Sequence, residues 1–152
     1  MSVECERVGG VNLSQGVCDL AVPQPVVDAA KAAIDQGENS YSRHDGTRQL
    51  RDALASRYQR LYGLDVDAET NIVVSAGATG ALYCSCLALL EPGDEVLLFE
   101  PYYSYHESTI VATQAVPVFV PTKAPDWSFS MDELENAVTG RTRAIIVNTP
   151  SN

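Results

Sequence analysis

The sequence predicts an α/β fold: a mostly parallel sheet with flanking helices, preceded by an irregular N-terminal arm and two helices. Three observations predict it. Short apolar runs (71–75, 95–100, 115–120 and 143–148) alternate with segments of helical periodicity. The runs lack the apolar/polar alternation of a half-exposed strand, as expected when both sheet faces are covered. Pro and Gly punctuation such as "EPGD" (91–94) separates the elements.

In order along the chain, residues 1–24 show little periodicity and carry Gly9, Gly10, Gly16 and Pro23, so they read as an arm. Pro25 suits a first helical turn. Val26, Val27, Ala30, Ala33 and Ile34 follow at helical spacing, and Gly37 closes that helix. "ENSYSRHDG" is loop. A second helix runs from about Thr47 to Tyr62 with Leu50, Leu54, Tyr58 and Leu61 as its stripe, ended by Gly63. Strand 71–75, "NIVVS", leads to a helix from Thr79 to Leu90. Strand 95–100 leads to a helix from Tyr103 to Thr113. Strand 115–120 contains Pro117, which points to an edge or irregular position. Ser130 and Glu133 form a capping-box pattern opening a helix over 130–138. Strand 143–148 is the last element.

The chain has 152 residues, 45% hydrophobic and 20% charged, enough apolar mass for one core. Its formal net charge of −10 argues against nucleic acid and against an anionic membrane surface, both of which reward clustered Lys and Arg. Cys84 and Cys86 face different sides of a helix, and His44 and His106 are far apart, so no metal-ligand spacing emerges. The thiols suit a reducing compartment, no membrane span or leader pattern is seen, and the expected location is cytoplasmic.

In parallel sheets the ligand crevice forms where the strands' carboxyl ends meet their loops. Three such loops carry candidate chemistry. Gly77-Ala78-Thr79-Gly80 opens a helix with small residues and a hydroxyl. It is either a cradle for phosphate on free backbone N–H groups or a tight strand-to-helix turn. Pro101 to Tyr105 holds three tyrosines, either a plate for a flat heterocycle or ordinary rim aromatics. Asn152, after Pro150 and Ser151, is either an amide donor to a ligand oxygen or a turn residue. The loop Pro121–Phe129 holds no convincing constellation. Together the three suit a flat, phosphorylated, oxygen-bearing ring. Pyridoxal phosphate fits, and a nucleotide fits the first two features.

Five stretches in order, "VNLSQGVCDLAVPQPVVDAA", "YSRHDGTRQLRDALASRY", "IVVSAGATGAL", "LLEPGDEVLLFEPYYSYH" and "FSMDELENAVTGRTRAIIVNTPSN", resemble the amino-terminal portion of class I/II aminotransferases, fold-type I pyridoxal-phosphate enzymes. The resemblance covers nearly all of residues 11–152. It implies that 1–46 are arm, helix and loop, and that 47–152 are part of the cofactor-binding large domain. It implies that the backbone N–H groups of Ala78 and Thr79, with the Thr79 hydroxyl, hold the cofactor phosphate. Tyr103 would stack on the ring, Asn152 would bond the ring oxygen, and Tyr41 would reach the phosphate in a partner subunit of a homodimer. Gly16 would lie near the substrate carboxylate. Amino acid and 2-oxo acid would be the substrates, with no nucleic acid and no membrane partner.

The resemblance also implies that the family's Schiff-base lysine, its Asp on the ring nitrogen and its Arg on the substrate carboxylate lie downstream of Asn152. Lys31 and Lys123 match none of these positions, so no residue here is expected to be the catalytic one. The expectation is a fragment or truncation with little transaminase activity alone. A non-catalytic protein that keeps the fold for ligand binding or dimer formation is the alternative. Cys18 departs from the Pro more usual at that position of the arm.

Overall fold

The computed structural model describes residues 2–13, 16 and 18–151. The chain forms two compact units, Met1–Ser42 and Arg43–Asn152. The first holds α1 (Ser2–Arg7) and α2 (Gln24–Asp35). The sequence predicts no helix before Pro25, and α1 is a six-residue turn of helix with an exposed Glu4–Arg7 pair. Pro25 stands in the first turn of α2, where a missing N–H costs nothing. Val26 and Ile34 on α2 are exposed.

The second unit begins with α3 (Arg48–Tyr62). Thr47 caps it by accepting from the Leu50 N–H at 3.4 Å, and Gly63 ends it in the left-handed conformation at φ 66°. Then come α4 (Gly77–Leu89), β1 (Glu95–Glu100), α5 (Ser104–Ala112), β2 (Val116–Pro121), α6 (Met131–Ala137) and β3 (Thr142–Ile146). The three strands form one sheet in the order β2-β1-β3, with both pairings parallel. The α/β class with a parallel sheet is therefore present. Pro117 lies on β2, an outer strand of this sheet, where its missing donor is tolerated.

The central strand carries the core. Val96 and Leu98 on one face of β1 pack with Ile110 of α5 and with Ala115, joined by Leu90, Tyr102, Ala144 and Ile146. Leu97 points to the other face and is equally buried. Val96, Leu97, Leu98 and Ile110, all fully buried, each contribute about 1.5–3 kcal/mol by leaving water. α4 packs on α5, and both α5 and α6 pack on β2.

The predicted strand 71–75 is corrected by the structure. Residues 72–75 belong to no ladder, and Val73 is exposed. A strand exists only with a partner, and none of the described strands runs beside these residues. The capping box at α6 is half formed. Ser130 Oγ accepts from the Glu133 N–H at 3.4 Å, but the Glu133 carboxylate turns to Lys123 at 3.6 Å instead of returning to the cap.

The amino ends of β1 and β3 are clamped by charge. The buried Glu95 carboxylate accepts from the Thr139 hydroxyl and from Arg141, whose Nε donates at 2.9 Å. These bonds, Thr139 first and Arg141 second, hold the Glu95 carboxyl below its ordinary range. A depressed carboxyl stabilises the fold above its unfolded value, and that contribution is lost as pH falls through the folded value. Glu95→Gln should therefore lower the unfolding midpoint near neutral pH. It should also flatten the loss of stability between about pH 6 and about pH 3. Thermal melts across that range check both, and an unchanged acid limb would remove Glu95 from the account.

Candidate functional site

α4 opens at Gly77, so Ala78 and Thr79 are its second and third residues and not, as the sequence predicts, the residues at its threshold. At those positions backbone N–H groups have no partner within the helix. Ala76 precedes the helix and supplies no side-chain cap, and the first turn holds no acidic residue. Ala78 and Thr79 are exposed. Gly77 adopts φ 74° with nothing within 4 Å of where a Cβ would stand. Its N–H is turned back to Ser75 O at 2.9 Å, and Ser75 Oγ donates to Gly77 O at 3.2 Å. The result is a short, open hook that aims the positive end of α4 outward. Those features fit an anion: free donors, room for it, and no carboxylate in the turn to repel it.

Tyr103 sits immediately before α5 with extended backbone (φ −71°, ψ 120°). Its ring is half-buried, 4.9 Å from the Tyr105 ring, and meets the His106 ring edge-on at 5.5 Å. Tyr102 is committed elsewhere. It stacks on Phe119 at 5.2 Å, and its hydroxyl donates to Glu107 Oε2 at 2.6 Å. That bond, with desolvation, raises the Tyr102 phenol above its ordinary value. Because α4 packs on α5, the helices that begin at the Gly77 hook and at Tyr103 are neighbours.

Tyr41 and Gly16 belong to the first unit, where both are exposed. Asn152 lies outside the described residues. Of the two lysines, Lys31 is exposed on α2 and Lys123 pairs with Glu133. Among the described residues no group of three or more His, Cys, Asp or Glu is arranged to hold a metal ion. Also among them, no helix is long and apolar enough to cross a membrane.

A cleft of about 640 Å³ opens at the carboxyl ends of β1 and β3. It is lined by Phe99, Pro101, Tyr102 and His106, by Ile146 to Thr149, and by Thr122, Asp126, Trp127 and Phe129. Ala78, Thr79 and Tyr103 do not line it. The sequence reading sees no constellation in the loop after β2, yet that loop supplies four of the walls. A bridge between Lys123 and Ser128 folds it into a small hairpin, and Trp127 turns through φ 55°. Phe129 then meets Phe99 at 4.8 Å. The available signal was the pair of large aromatics beyond a strand's carboxyl end. His106 has no role in the sequence analysis, although it lies three residues after Tyr103, whose ring it meets edge-on.

A family model described as aminotransferase class I and II matches residues 8–152. A probable N-succinyldiaminopimelate aminotransferase of Mycobacterium tuberculosis is 42% identical, covering 100% of this chain and 39% of the relative. A methionine aminotransferase of Escherichia coli is 35% identical over 100% of this chain and 39% of its own length. The solved structure of the Mycobacterium tuberculosis N-succinyldiaminopimelate aminotransferase superposes with a TM-score of 0.91 at 42% identity, covering 100% of this chain and 40% of that one. The chain thus spans about two fifths of the length of these relatives.

Trp127 is the single tryptophan of the chain and half of it is exposed on the cleft wall. An aromatic ligand that fills the cleft should shift its emission to shorter wavelength and protect it from acrylamide quenching. Saturable binding with no change in Trp127 emission would place the ligand outside the cleft.

Proposed function

The chain belongs to the class I and II aminotransferases, and from that premise we propose that it is the cofactor-holding part of a pyridoxal-phosphate-dependent transaminase acting on an amino acid and a 2-oxo acid. The observation that carries this reading is the start of α4, which has no side-chain cap and no acidic residue. The matched relatives differ in the amino acid their names specify, so the substrate is proposed only as a class.

Ala78 and Thr79 would hold the cofactor phosphate with their N–H groups, and the Thr79 hydroxyl would add a third donor. The Tyr103 ring would support one face of the pyridine. Its contacts with Tyr105 and His106 restrict its rotation before any ligand arrives. Asn152 would donate to the ring oxygen. When bound, the cofactor supplies an electron sink for the bond that breaks at the substrate α-carbon. The residues assigned here bind and orient. Lys31 and Lys123 are assigned no proton transfer. Gly16 is proposed near the substrate carboxylate and Tyr41 at the phosphate of a second subunit. A homodimer is supported by the exposed Val11, Leu13, Leu20 and Val22 of the arm, apolar surface of the kind that protein partners cover. The free thiols of all four cysteines suit the proposed cytoplasmic setting.

Pyridoxal phosphate and pyridoxal share the ring but differ in the phosphate and in the closure of pyridoxal to an internal hemiacetal. The hemiacetal is a solution property common to every variant, so the change in the ratio of their dissociation constants between variants isolates the phosphate contacts. That ratio should favour pyridoxal phosphate strongly in the wild type. It should fall about tenfold in Thr79→Val, which removes one hydrogen bond to a charged group. Equal affinity of the wild type for both compounds would falsify the reading.

A further inference from the structure

Arg51 stands in the first turn of α3 and is fully buried. Its guanidinium is permanently charged. Nη1 donates to Ala68 O at 2.7 Å and lies 3.3 Å from Asp45 Oδ2, while Nη2 donates to Glu69 Oε2 at 3.3 Å. The same two carboxylates are held from their outer side. Arg43 grips Asp45 through Nε at 2.9 Å and Nη2 at 2.7 Å, and reaches Glu69 at 2.9 Å. Arg48 reaches Glu69 at 3.4 Å. Bonds from Arg43, the largest influence on each, keep both carboxyls below their ordinary range.

Burying a guanidinium is costly, and Nε is left without a hydrogen-bond partner even here. An apolar side chain would join α3 to the 66–70 loop at less expense. What the fork adds is direction, because its donors leave in fixed orientations that set where Asp45, Ala68 and Glu69 stand.

The position of Asp45 matters for what lies beyond it. The Asp45 carbonyl accepts from the Val74 N–H at 3.0 Å. Gly46, at φ 99°, presses so closely on Val74 that a Cβ there would come within 2.6 Å of Val74 Cγ2 and 2.7 Å of Val74 Cβ. Residues 72–75 have no strand partner. Among the described residues, the Val74–Asp45 bond is their one backbone link to distant sequence. Val74 is followed by Ser75, which is bonded twice to Gly77 at the start of α4. A continuous physical path therefore runs from Arg51 through Asp45, Gly46, Val74 and Ser75 to the Gly77 hook.

We propose that Arg51 is a positioning residue for the anion seat, setting through Asp45 and Val74 where the N–H groups of Ala78 and Thr79 are presented. This rests on the reading of those groups as the phosphate site. No contact between Arg51 and the ligand is involved.

The test uses the full-length polypeptide expressed from its native reading frame, with pyridoxal phosphate and pyridoxal as probes and a thermal melt on each variant. Arg51→Lys keeps the charge but loses the fork. Asp45→Asn keeps the backbone carbonyl but loosens its placement, and it carries the test if Arg51→Lys does not fold. Glu95→Gln is the control, weakening the sheet at the amino ends of its strands, away from the path. Arg51→Lys and Asp45→Asn should each reduce the phosphate preference about five- to tenfold. Glu95→Gln should keep the wild-type preference despite a lowered melting point. A folded Asp45→Asn with undiminished preference overturns the proposal and leaves the phosphate reading standing. Equal loss in Glu95→Gln overturns it too, because general loosening is then the cause. A wild type without preference overturns the phosphate reading itself, and the proposal with it.

Discussion

The second unit depends on the burial of β1 between two parallel neighbours. Four consecutive residues, Glu95 to Leu98, are removed from water, and the three apolar ones cover both faces of the strand. A strand with both faces covered has no solvent side to bias its neighbours, so its pairing must be set by backbone and by ends. The register pairs Glu95 with Val116 on one side and with Thr142 on the other. The clamp of Glu95 by Thr139 and Arg141 ties β1 to the turn that leads into β3. The irregularity in the β1–β3 register falls between Glu95 and Val96, beside that clamp.

Parallel pairing brings all three carboxyl ends to one edge, and the cleft walled by Phe99, Trp127, Phe129 and the residues after β3 opens there. The Gly77 hook is held differently. Residues 72–75 before it have no ladder, so their position comes from a salt-bridge lattice and a glycine contact instead of from a strand. The two regions are joined through the packing of α4 on α5. One molecule thus uses two kinds of support: apolar burial for the sheet and directed polar bonds for the loop that offers N–H groups.

Much of this was legible from residue order. β1, β2 and β3 fall within a residue or two of the apolar runs that predict them, although only β1 is buried on both faces. Thr47 and Gly63 mark the ends of α3 for local reasons that need no tertiary knowledge. The failures are equally physical. "NIVVS" has every local property of a strand, but pairing is a relation between segments and is invisible in one of them. The cleft hairpin depends on the Lys123–Ser128 bridge and the left-handed Trp127, neither of which periodicity reports. Nothing local in the sequence marks Arg51 as buried, because arginine is rarely buried unless it is paired. Its burial follows from two carboxylates, Asp45 and Glu69, that converge on it from before and after its helix.

The charge balance bears on why the candidate anion seat is built from backbone. The chain carries 20 acidic and 10 basic side chains. In the second unit Arg43, Arg48, Arg51, Lys123, Arg141 and Arg143 each lie within ion-pair distance of a carboxylate. A cationic side chain offered to a phosphate in such a chain competes with its own carboxylates for the charge. Backbone N–H groups at a helix start escape that competition. They carry only about half a unit of positive charge between them, and a side-chain cap is the usual way to satisfy them. α4 has no such cap and no acid in its first turn. Screening confines the remaining negative charge of the molecule to about 8–10 Å in physiological salt. A local dipole with local donors can therefore favour an anion on a protein whose net charge is −10, provided the donors are held in place.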